Sequence, residues 1–428
     1  MAEAGGLLQT GPFGSQLHAH EYVEAGVPVV MPQDIPSGVI DVRSVARIAE
    51  PTAQRLGRHR LQAGDVVFSR RGDLSRCALV EPSQSGWLCG TGCLLLRPAG
   101  SRLSGAWVSR IYRHHAIQTR IARLAVGTTM ANLNTGILAR LEIPSPPLPE
   151  QRQIAAILDT LDDAIRKTEQ IIAKLKQVKQ GLLHDLLTRG IDDNGELRDP
   201  ERHSEQFKAS ALGRIPKAWE VSSLGRLLLR IEAGSSPNCP DRPAHGDEWG
   251  VLKVSAVRPT GFEPSENKAI VTPSLIDPSC EVRDGDLLIT RANTYELVGL
   301  TCLVDRPPPR LMLCDKTLRL VLDSRKADAR FVFFTSQTPP LRAQIETHAT
   351  GSSGSMKNIG QSAIRALTFQ LPPLTEQVEV ASRLCAADAR AEAERRSLGQ
   401  LAMLKAGLME DLLTGRIRVT SLLEHASP

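Results

Sequence analysis

The sequence contains "PPLPEQ" at Pro146–Gln151 and, 226 residues further on, "PPLTEQ" at Pro372–Gln377. A second stretch recurs at the same distance, because "KQGLLHDLLTRG" at Lys179–Gly190 returns as "KAGLMEDLLTGR" at Lys405–Arg416. A constant distance between several recurring stretches indicates an internal duplication. The sequence therefore predicts two copies of one structural module, each about half of the 428-residue chain.

Each hexapeptide precedes a long segment in which apolar residues recur at steps of four and three. This heptad pattern is typical of coiled-coil helices. The pattern comprises Ile154, Leu158, Leu161, Ile165, Ile172, Leu175, Leu182 and Leu186, and then Val380, Leu384, Ala387, Ala391, Leu398, Leu401, Leu408 and Leu412. We predict two long helices, 147–189 and 372–414, packed antiparallel, each about 60 Å long at 1.5 Å per residue. The alternative is two unrelated amphipathic helices, each lying on its own domain.

Short β-rich runs before each helix match as well. "GDVVFSR" at Gly64–Arg70 resembles "GDLLITR" at Gly285–Arg291, and "VPVVMPQDI" at Val27–Ile35 resembles "GVLKVSAV" at Gly250–Val257. The predicted fold class is α+β, with two tandem mixed α/β domains separated by two long helices that form an antiparallel coiled coil. The predicted segments are a first domain at 1–146, a helix at 147–189, a linker at 190–217, a second domain at 218–371, a helix at 372–414 and a C-terminal tail at 415–428.

The composition is that of an ordinary globular protein, with 41% hydrophobic and 23% charged residues. No apolar run approaches the roughly 20 residues that span a bilayer, and the N-terminus does not read as a signal peptide. The eight cysteines are scattered without the spacing of a zinc site. We therefore expect a cytoplasmic protein. Residues 1–147 hold fifteen Arg and no Lys against ten acidic residues, an excess suited to phosphates and guanine edges. A genome rich in G and C would favour Arg codons too.

The sequence lacks the motifs of the catalytic chemistry that acts on DNA. It has no N-P-P-Y or D-P-P-Y for gripping a flipped base, and no G-x-x-x-x-G-K-[ST] for cradling the phosphates of ATP. His114 and His115 are adjacent, and we expect neighbouring residues of a helix to point to different faces, so that they do not chelate a metal. The sequence predicts no catalytic residue, no cofactor and no metal.

Several stretches resemble the specificity (S) subunits of type I restriction-modification enzymes. They are Gly11–Val30, Gly127–Asp159 with its "PPLPEQ", and the second "LPPLTEQ" with the helix that follows. The resemblance implies two target-recognition domains, each reading one half of a split, asymmetric DNA site. It also implies that the paired helices act as a spacer and as the docking platform for two modification subunits, which methylate adenine. Restriction subunits, which cleave, then join the complex. The alternative is a coiled-coil scaffold or nucleic-acid-binding module without sequence-specific DNA recognition.

Candidate DNA-binding residues are polar or basic residues that follow the matched strands or lie in small polar turns. Arg can pair with guanine O6/N7 and Asn with adenine N6/N7. The predicted residues are Gln33, Arg70, Arg71, Thr128, Lys253, Ser255, Arg291, Asn293 and Lys357. For each of them a solvated loop or a structural ion pair is an equally good reading.

The two modules differ at their beginnings. About ten residues equivalent to Ile215–Leu224, a predicted first strand, have no match before "AGGLLQT" in the first module. We expect either that the natural start lies upstream or that another segment, such as the C-terminal "RIRVTSLLEH", completes the first domain.

Overall fold

The computed structural model describes residues 6–13, 15–36, 38–43, 45–99, 102–125, 132–351 and 356–421. The chain divides into two compact units. The first combines Met1–Gln170 with Arg395–Pro428, and the second is Ile171–Glu394. None of the helices within the described ranges combines the length and apolar character needed to cross a bilayer.

The first unit is built on two four-stranded sheets. Its strands are β1 (Gly6–Thr10), β2 (Tyr22–Val23), β3 (Val27–Val30), β4 (Ala46–Ile48), β5 (Val66–Ser69), β6 (Cys77–Leu79), β7 (Leu88–Cys89) and β8 (Cys93–Pro98). Its short helices are α1 (Glu50–Arg55), α2 (Gly105–Tyr112), α3 (His115–Ala125) and α4 (Thr135–Arg140). The sheets have the orders β1-β8-β5-β6 and β2-β4-β3-β7. Strand β5 is buried along its whole length, which is why "VVFS" is almost entirely apolar.

The long helix α5 (Leu148–Thr188) begins in the first unit and ends in the second. The strands that follow are β9 (Phe207–Ser210), β10 (Gly213–Pro216), β11 (Glu220–Ser223), β12 (Leu228–Ala233), β13 (Trp249–Leu252), β14 (Val257–Arg258), β15 (Gly261–Phe262), β16 (Asn267–Ile270), β17 (Leu287–Thr290), β18 (Ala292–Asn293), β19 (Thr301–Leu303), β20 (Leu311–Met312), β21 (Thr317–Leu322), β22 (Lys357–Asn358) and β23 (Thr368–Leu371). The helices are α6 (Leu224–Leu227), α7 (Ala329–Ser336), α8 (Pro339–His348), α9 (Gln361–Ala366) and the second long helix α10 (Leu374–Leu413).

The strand pairing confirms the duplication. The order β1-β8-β5-β6 in the first unit is repeated as β12-β21-β17-β19 in the second. Each unit also contains one parallel pair within an otherwise antiparallel sheet, β3 with β7 and β13 with β20. A parallel pair needs a crossover connection, so its recurrence at matching places is strong support for one module used twice. The predicted α+β class with two mixed domains and two long helices is confirmed.

The long helices pack antiparallel within each unit. In the first unit the beginning of α5 lies beside the end of α10, and Asp162 forms an ion pair with Lys405. In the second unit the end of α5 lies beside the beginning of α10, and Lys179 Nζ lies 2.5 Å from Asp388 Oδ1. The two ion pairs occupy equivalent positions of the duplicated sequence, 226 residues apart. The same register therefore recurs in both units.

The glutamine of each hexapeptide joins the long helix to the domain before it. Gln151 Oε1 accepts a hydrogen bond from the backbone N–H of Ser104 at 2.9 Å, and its Nε2 donates to the carbonyls of Arg102 and Pro146. Gln377 makes the same three bonds in the second unit. Its partners are Asp328, Lys326 and Pro372. Both amides are almost completely buried and cannot bond to water, so these hydrogen bonds supply the partners that the amides would otherwise lack. This shared role accounts for the repeated glutamine.

The glutamate of the second hexapeptide binds the segment that follows α5. Glu376 Oε1 accepts hydrogen bonds from Arg198 Nη1 at 2.5 Å and from the backbone N–H of Ile191 at 2.9 Å. Its Oε2 accepts one from Trp219 Nε1 at 3.0 Å. The structure thus differs from the predicted linker at 190–217, since this stretch also forms the β9–β10 hairpin. Residues of this polar stretch, which lacks periodicity, therefore hydrogen-bond to Glu376, and the stretch is not merely a solvated linker.

The glutamate of the first hexapeptide binds the C-terminal segment in the same way. Glu150 accepts from Arg418 Nε and Nη2 at 2.6 and 2.7 Å, and Val419 is buried in the core beside α5. In the second unit strand β11 pairs with β23. Among the described residues the first unit has no counterpart of β11. The C-terminal segment packs onto the first domain through Glu150 and Val419, and its completion of that domain stays a prediction.

Replacing Arg418 with Ala should destabilise the first unit at neutral pH. The Glu150 side chain is only 2% exposed, and removing its arginine partner, which leaves it the Val419 N–H at 3.3 Å, should cost about 2 kcal/mol of unfolding free energy. The hydrogen bonds from Arg418 lower the pKa of Glu150. A lowered pKa means that the stabilisation is present above the ordinary glutamate range and is lost as the pH falls through the folded-state value. Urea unfolding at neutral and acidic pH measures both effects.

Arg43→Ala is the matched control, because it removes a solvent-exposed partner of Asp41 in the same unit. Equal losses for the two variants at neutral pH would contradict the role given to Arg418.

Candidate nucleic-acid interface

Two arginines follow equivalent strands and are held by the same backbone contacts. Arg70 follows β5, and its N–H donates to the carbonyl of Gly92 at 2.8 Å while its carbonyl accepts from Leu133 N–H at 3.0 Å. Arg291 follows β17, and its N–H donates to Lys316 O at 2.7 Å while its carbonyl accepts from the N–H of Ile359 at 2.9 Å. The strand end is thus fixed from both sides in each unit. What differs between the units is the set of side chains that these fixed positions present.

In the first unit the two predicted arginines have different surroundings. Arg70 is half-buried, its Nε donates to Asn132 Oδ1 at 3.2 Å, and its guanidinium lies 5.5 Å from the ring centre of Phe13. Arg71 is exposed, and within the described part of the chain no carboxylate pairs with it. The nearby Asp73 is already bound to Arg76 at 3.2 Å. Of these two arginines, Arg71 is therefore the one that a phosphate or a base edge could reach.

In the second unit three predicted residues come together. Strands β18 and β22 pair so that Asn293 lies opposite Lys357, directly after Arg291. Lys357 Nζ donates to the carbonyl of Gly351 at 2.7 Å, and Asn293 Oδ1 accepts from the N–H of Thr294. The Arg291 side chain is exposed and has no carboxylate partner among the described residues. Two cations and an amide on one fixed edge form a surface suited to phosphates and to base edges.

Gln33 lies close to the Arg70 position without contacting it in the described structure. It is exposed in a one-turn 3-10 helix, Pro32–Asp34, that follows β3. This turn packs against Gly92, since a Cβ built there would lie 3.2 Å from Pro32. Gly92 in turn accepts the hydrogen bond from Arg70 N–H. Thr128 lies outside the described residues.

Lys253 and Ser255 belong to a different part of the second unit. Lys253 Nζ lies 3.4 Å from Asp241, and Ser255 Oγ donates to Glu266 Oε2 at 2.7 Å. The hydrogen bond from Ser255 lowers the pKa of Glu266, which is therefore ionised at neutral pH. Carboxylates beside both residues make this surface less favourable for a polyanion than the edge formed by Arg291, Asn293 and Lys357. Lys253 and Ser255 follow β13, whereas Arg291 follows β17 in another sheet.

Sequence reasoning missed Phe13 and Asn132 as supports of the interface. Asn132 matches Asn358 at the constant distance of 226, and this match was the available signal. The contact of Phe13 with Arg70 joins residues far apart in the sequence, and no repeated sequence pattern indicates it.

Known proteins match most of the chain. Residues 39–177 match the family described as the type I restriction modification DNA specificity domain. Over 402 residues the chain is 29% identical to a putative type I restriction enzyme specificity subunit of Methanocaldococcus jannaschii, which covers 92% of this chain and 88% of that relative. These matches show that the chain is similar to type I specificity subunits. The resemblance predicted from the sequence is thereby confirmed.

Two further comparisons agree. The chain is 33% identical to the EcoEI specificity subunit of Escherichia coli over 171 residues, which is 40% of this chain and 29% of that specificity subunit. The crystal structure of a type I restriction-modification system S subunit from M. genitalium aligns with a TM-score of 0.59 at 14% identity, covering 95% of this chain and 93% of that one. At this identity the structural match speaks to the fold. The fold of a type I specificity subunit is therefore present along nearly the whole chain.

Proposed function

We propose that this chain is the subunit that gives a type I restriction-modification complex its DNA sequence specificity, each unit reading one half of a two-part site. The observation that carries the proposal is the arginine position fixed by identical backbone contacts after β5 and β17. The scaffold is the same twice, while the neighbouring side chains differ. Such a scaffold with varied residues suits two different half-sites.

The chain acts without catalysis of its own in this proposal. Its partners are double-stranded DNA, two modification subunits that methylate adenine, and restriction subunits, all in the cytoplasm. The modification subunits dock on the paired helices α5 and α10. The exposed outer faces of these helices include Ile171 and Val178 on α5 and Met403 and Leu404 on α10, which supply apolar contact area.

Genome-wide mapping of methylated adenines tests the function. Cells with the modification subunit and this chain should carry a two-part methylated motif, and cells without the chain should lack it. Arg291→Ala should weaken binding to the motif by about 1–3 kcal/mol, roughly 5- to 150-fold, because a bidentate arginine contact to guanine contributes that much. Fewer sites should then be methylated, or one position of one half should become less selective.

Arg325→Ala is the matched control for Arg291→Ala. Arg325 is an exposed arginine of the same unit that pairs with Asp323. Methylation that is unchanged without the chain would refute the function, whereas equal effects of the two variants would refute only the role of Arg291.

A further inference from the structure

Three potential metal ligands meet in the first unit, away from the arginine positions. His114 Nε2 lies 3.0 Å from Glu410 Oε2, and His115 Nδ1 lies 3.9 Å from the same oxygen. The three ligand atoms all lie within 4.8 Å of one another. Within the described residues no other group of three His, Cys, Asp or Glu side chains is this close.

A turn in the chain explains why adjacent histidines converge. Tyr112 ends α2, His115 begins α3, and His114 lies in the bend between them. In an unbroken helix neighbouring side chains diverge, which was the reason for expecting no chelation. That premise was wrong for this pair, because the bend brings the two ring centres to 4.4 Å.

The surroundings orient the carboxylate and leave one side open. The His114 side chain is 6% exposed, whereas that of His115 is 75% exposed. Arg416 Nη2 lies 3.3 Å from Glu410 Oε1, which leaves Oε2 directed at the histidines. An outer partner that fixes a ligating carboxylate is a usual feature of metal sites. An ion could enter from the His115 side.

The equivalent place in the second unit has no such ligands. Glu410 matches His184 at the distance of 226. The two histidines, two and three residues after the end of α2, correspond to Thr338 and Pro339, two and three residues after the end of α7. His184, Thr338 and Pro339 line a largely apolar cavity of about 340 Å³. The framework therefore does not require two histidines and a carboxylate here. Their convergence is specific to the first unit and calls for a separate explanation.

We propose that His114, His115 and Glu410 bind a zinc ion that joins the α2–α3 bend to the end of α10. Two imidazole nitrogens and one carboxylate oxygen form a ligand set suited to zinc, with ligand distances of about 2.0–2.2 Å. Tetrahedral ligands at those distances are about 3.3 Å apart. The His114–Glu410 distance already fits, and His115 needs to move by up to about 1.5 Å, since the three ligand atoms lie within 4.8 Å of one another. Water completes the fourth position.

Zinc titration of the 428-residue chain, first stripped of metal with a chelator and then dialysed, tests the site. We expect one zinc per chain and a rise in melting temperature on zinc addition, since a ligand that binds only the folded state stabilises it. His115→Gln and Glu410→Gln should abolish both the binding and the rise. The exposure of His115 makes the first of these variants safe for folding.

His184→Gln, at the position equivalent to Glu410, is the matched control and should keep zinc binding unchanged. Cobalt substitution distinguishes the ligands, because the predicted site has no thiolate and should give visible absorption without a sulfur-to-cobalt charge-transfer band. Three results would overturn the proposal: no zinc binding, binding that survives both variants, or a thiolate band that points to one of the eight cysteines. The readout uses no DNA and is independent of the proposed function.

Discussion

One additional heptad in each long helix, inserted after Thr168 in α5 and after Glu394 in α10, should widen the unread gap between the two half-sites. A heptad returns the apolar residues to the same face of the helix, so the line of apolar contacts between the two helices is preserved. Seven residues at 1.5 Å each lengthen the pair by about 10 Å. At about 3.4 Å per base pair this corresponds to up to three base pairs. Methylome sequencing of cells carrying the variant measures the gap directly.

The ion pairs explain why these insertion points are suitable. Asp162 and Lys405 both stay on the first unit's side of the insertions, while Lys179 and Asp388 both stay on the second unit's side. Each unit therefore keeps its own helix register. Three base pairs also rotate the duplex by about 100°, so binding should weaken. Any motif still methylated should keep both half-sites.

A two-residue insertion at the same points is the control, because about 200° of helix rotation turns the apolar face of each helix away from its partner. It should abolish methylation altogether. Full activity of the heptad variant with the original gap would show that the helices do not set the spacing.

Exchange of residues 218–371 for the corresponding domain of a relative should change one half of the methylated motif and leave the other half intact. The physical reason is that the second unit contains its own sheets and its own arginine edge. Its attachment to α10 runs through Gln377 and Glu376, which the exchange retains. Long-read methylome sequencing gives the new motif.

The reverse exchange, of the first domain, provides the control and should change the other half alone. A simultaneous change of both halves in either chimera would contradict independent reading by the two units.

The duplicated features were predictable because they are written as local patterns. The heptads predicted both long helices, and "GDVVFSR" and "GDLLITR" predicted the buried strands β5 and β17. The parallel pairing of β3 with β7 was not predictable, since strands of two to four residues carry no information about their partners. The hydrogen bonds of Glu150 and Glu376 to distant segments were missed for a similar reason. Their partners lie 268 and 178 residues away, and a polar segment that binds a buried carboxylate looks like a linker.

The positions of the candidate DNA-binding residues were predictable from the sequence, but their neighbours in the structure were not. Residues after matched strands were predicted as DNA-binding candidates, and the structure brings Asn293 and Lys357 together beside Arg291. Which cations are already paired depends on contacts between distant loops. Lys253 looks like Arg291 in the sequence, yet it has Asp241 beside it. Whether any of the predicted residues contacts a base stays a prediction.

The discontinuous composition of the first unit affects how the chain folds during synthesis. The second unit is one continuous stretch, whereas the first needs Arg395–Pro428 in addition to its opening 170 residues. At about 5–20 residues per second, a ribosome needs roughly 10 to 50 s to make the remainder of the chain. Throughout that time the apolar surface that Leu412 and Val419 eventually cover is exposed. The domain that is translated first must therefore be the last to close, and the nascent chain passes through an aggregation-prone interval in which chaperones have the most to protect.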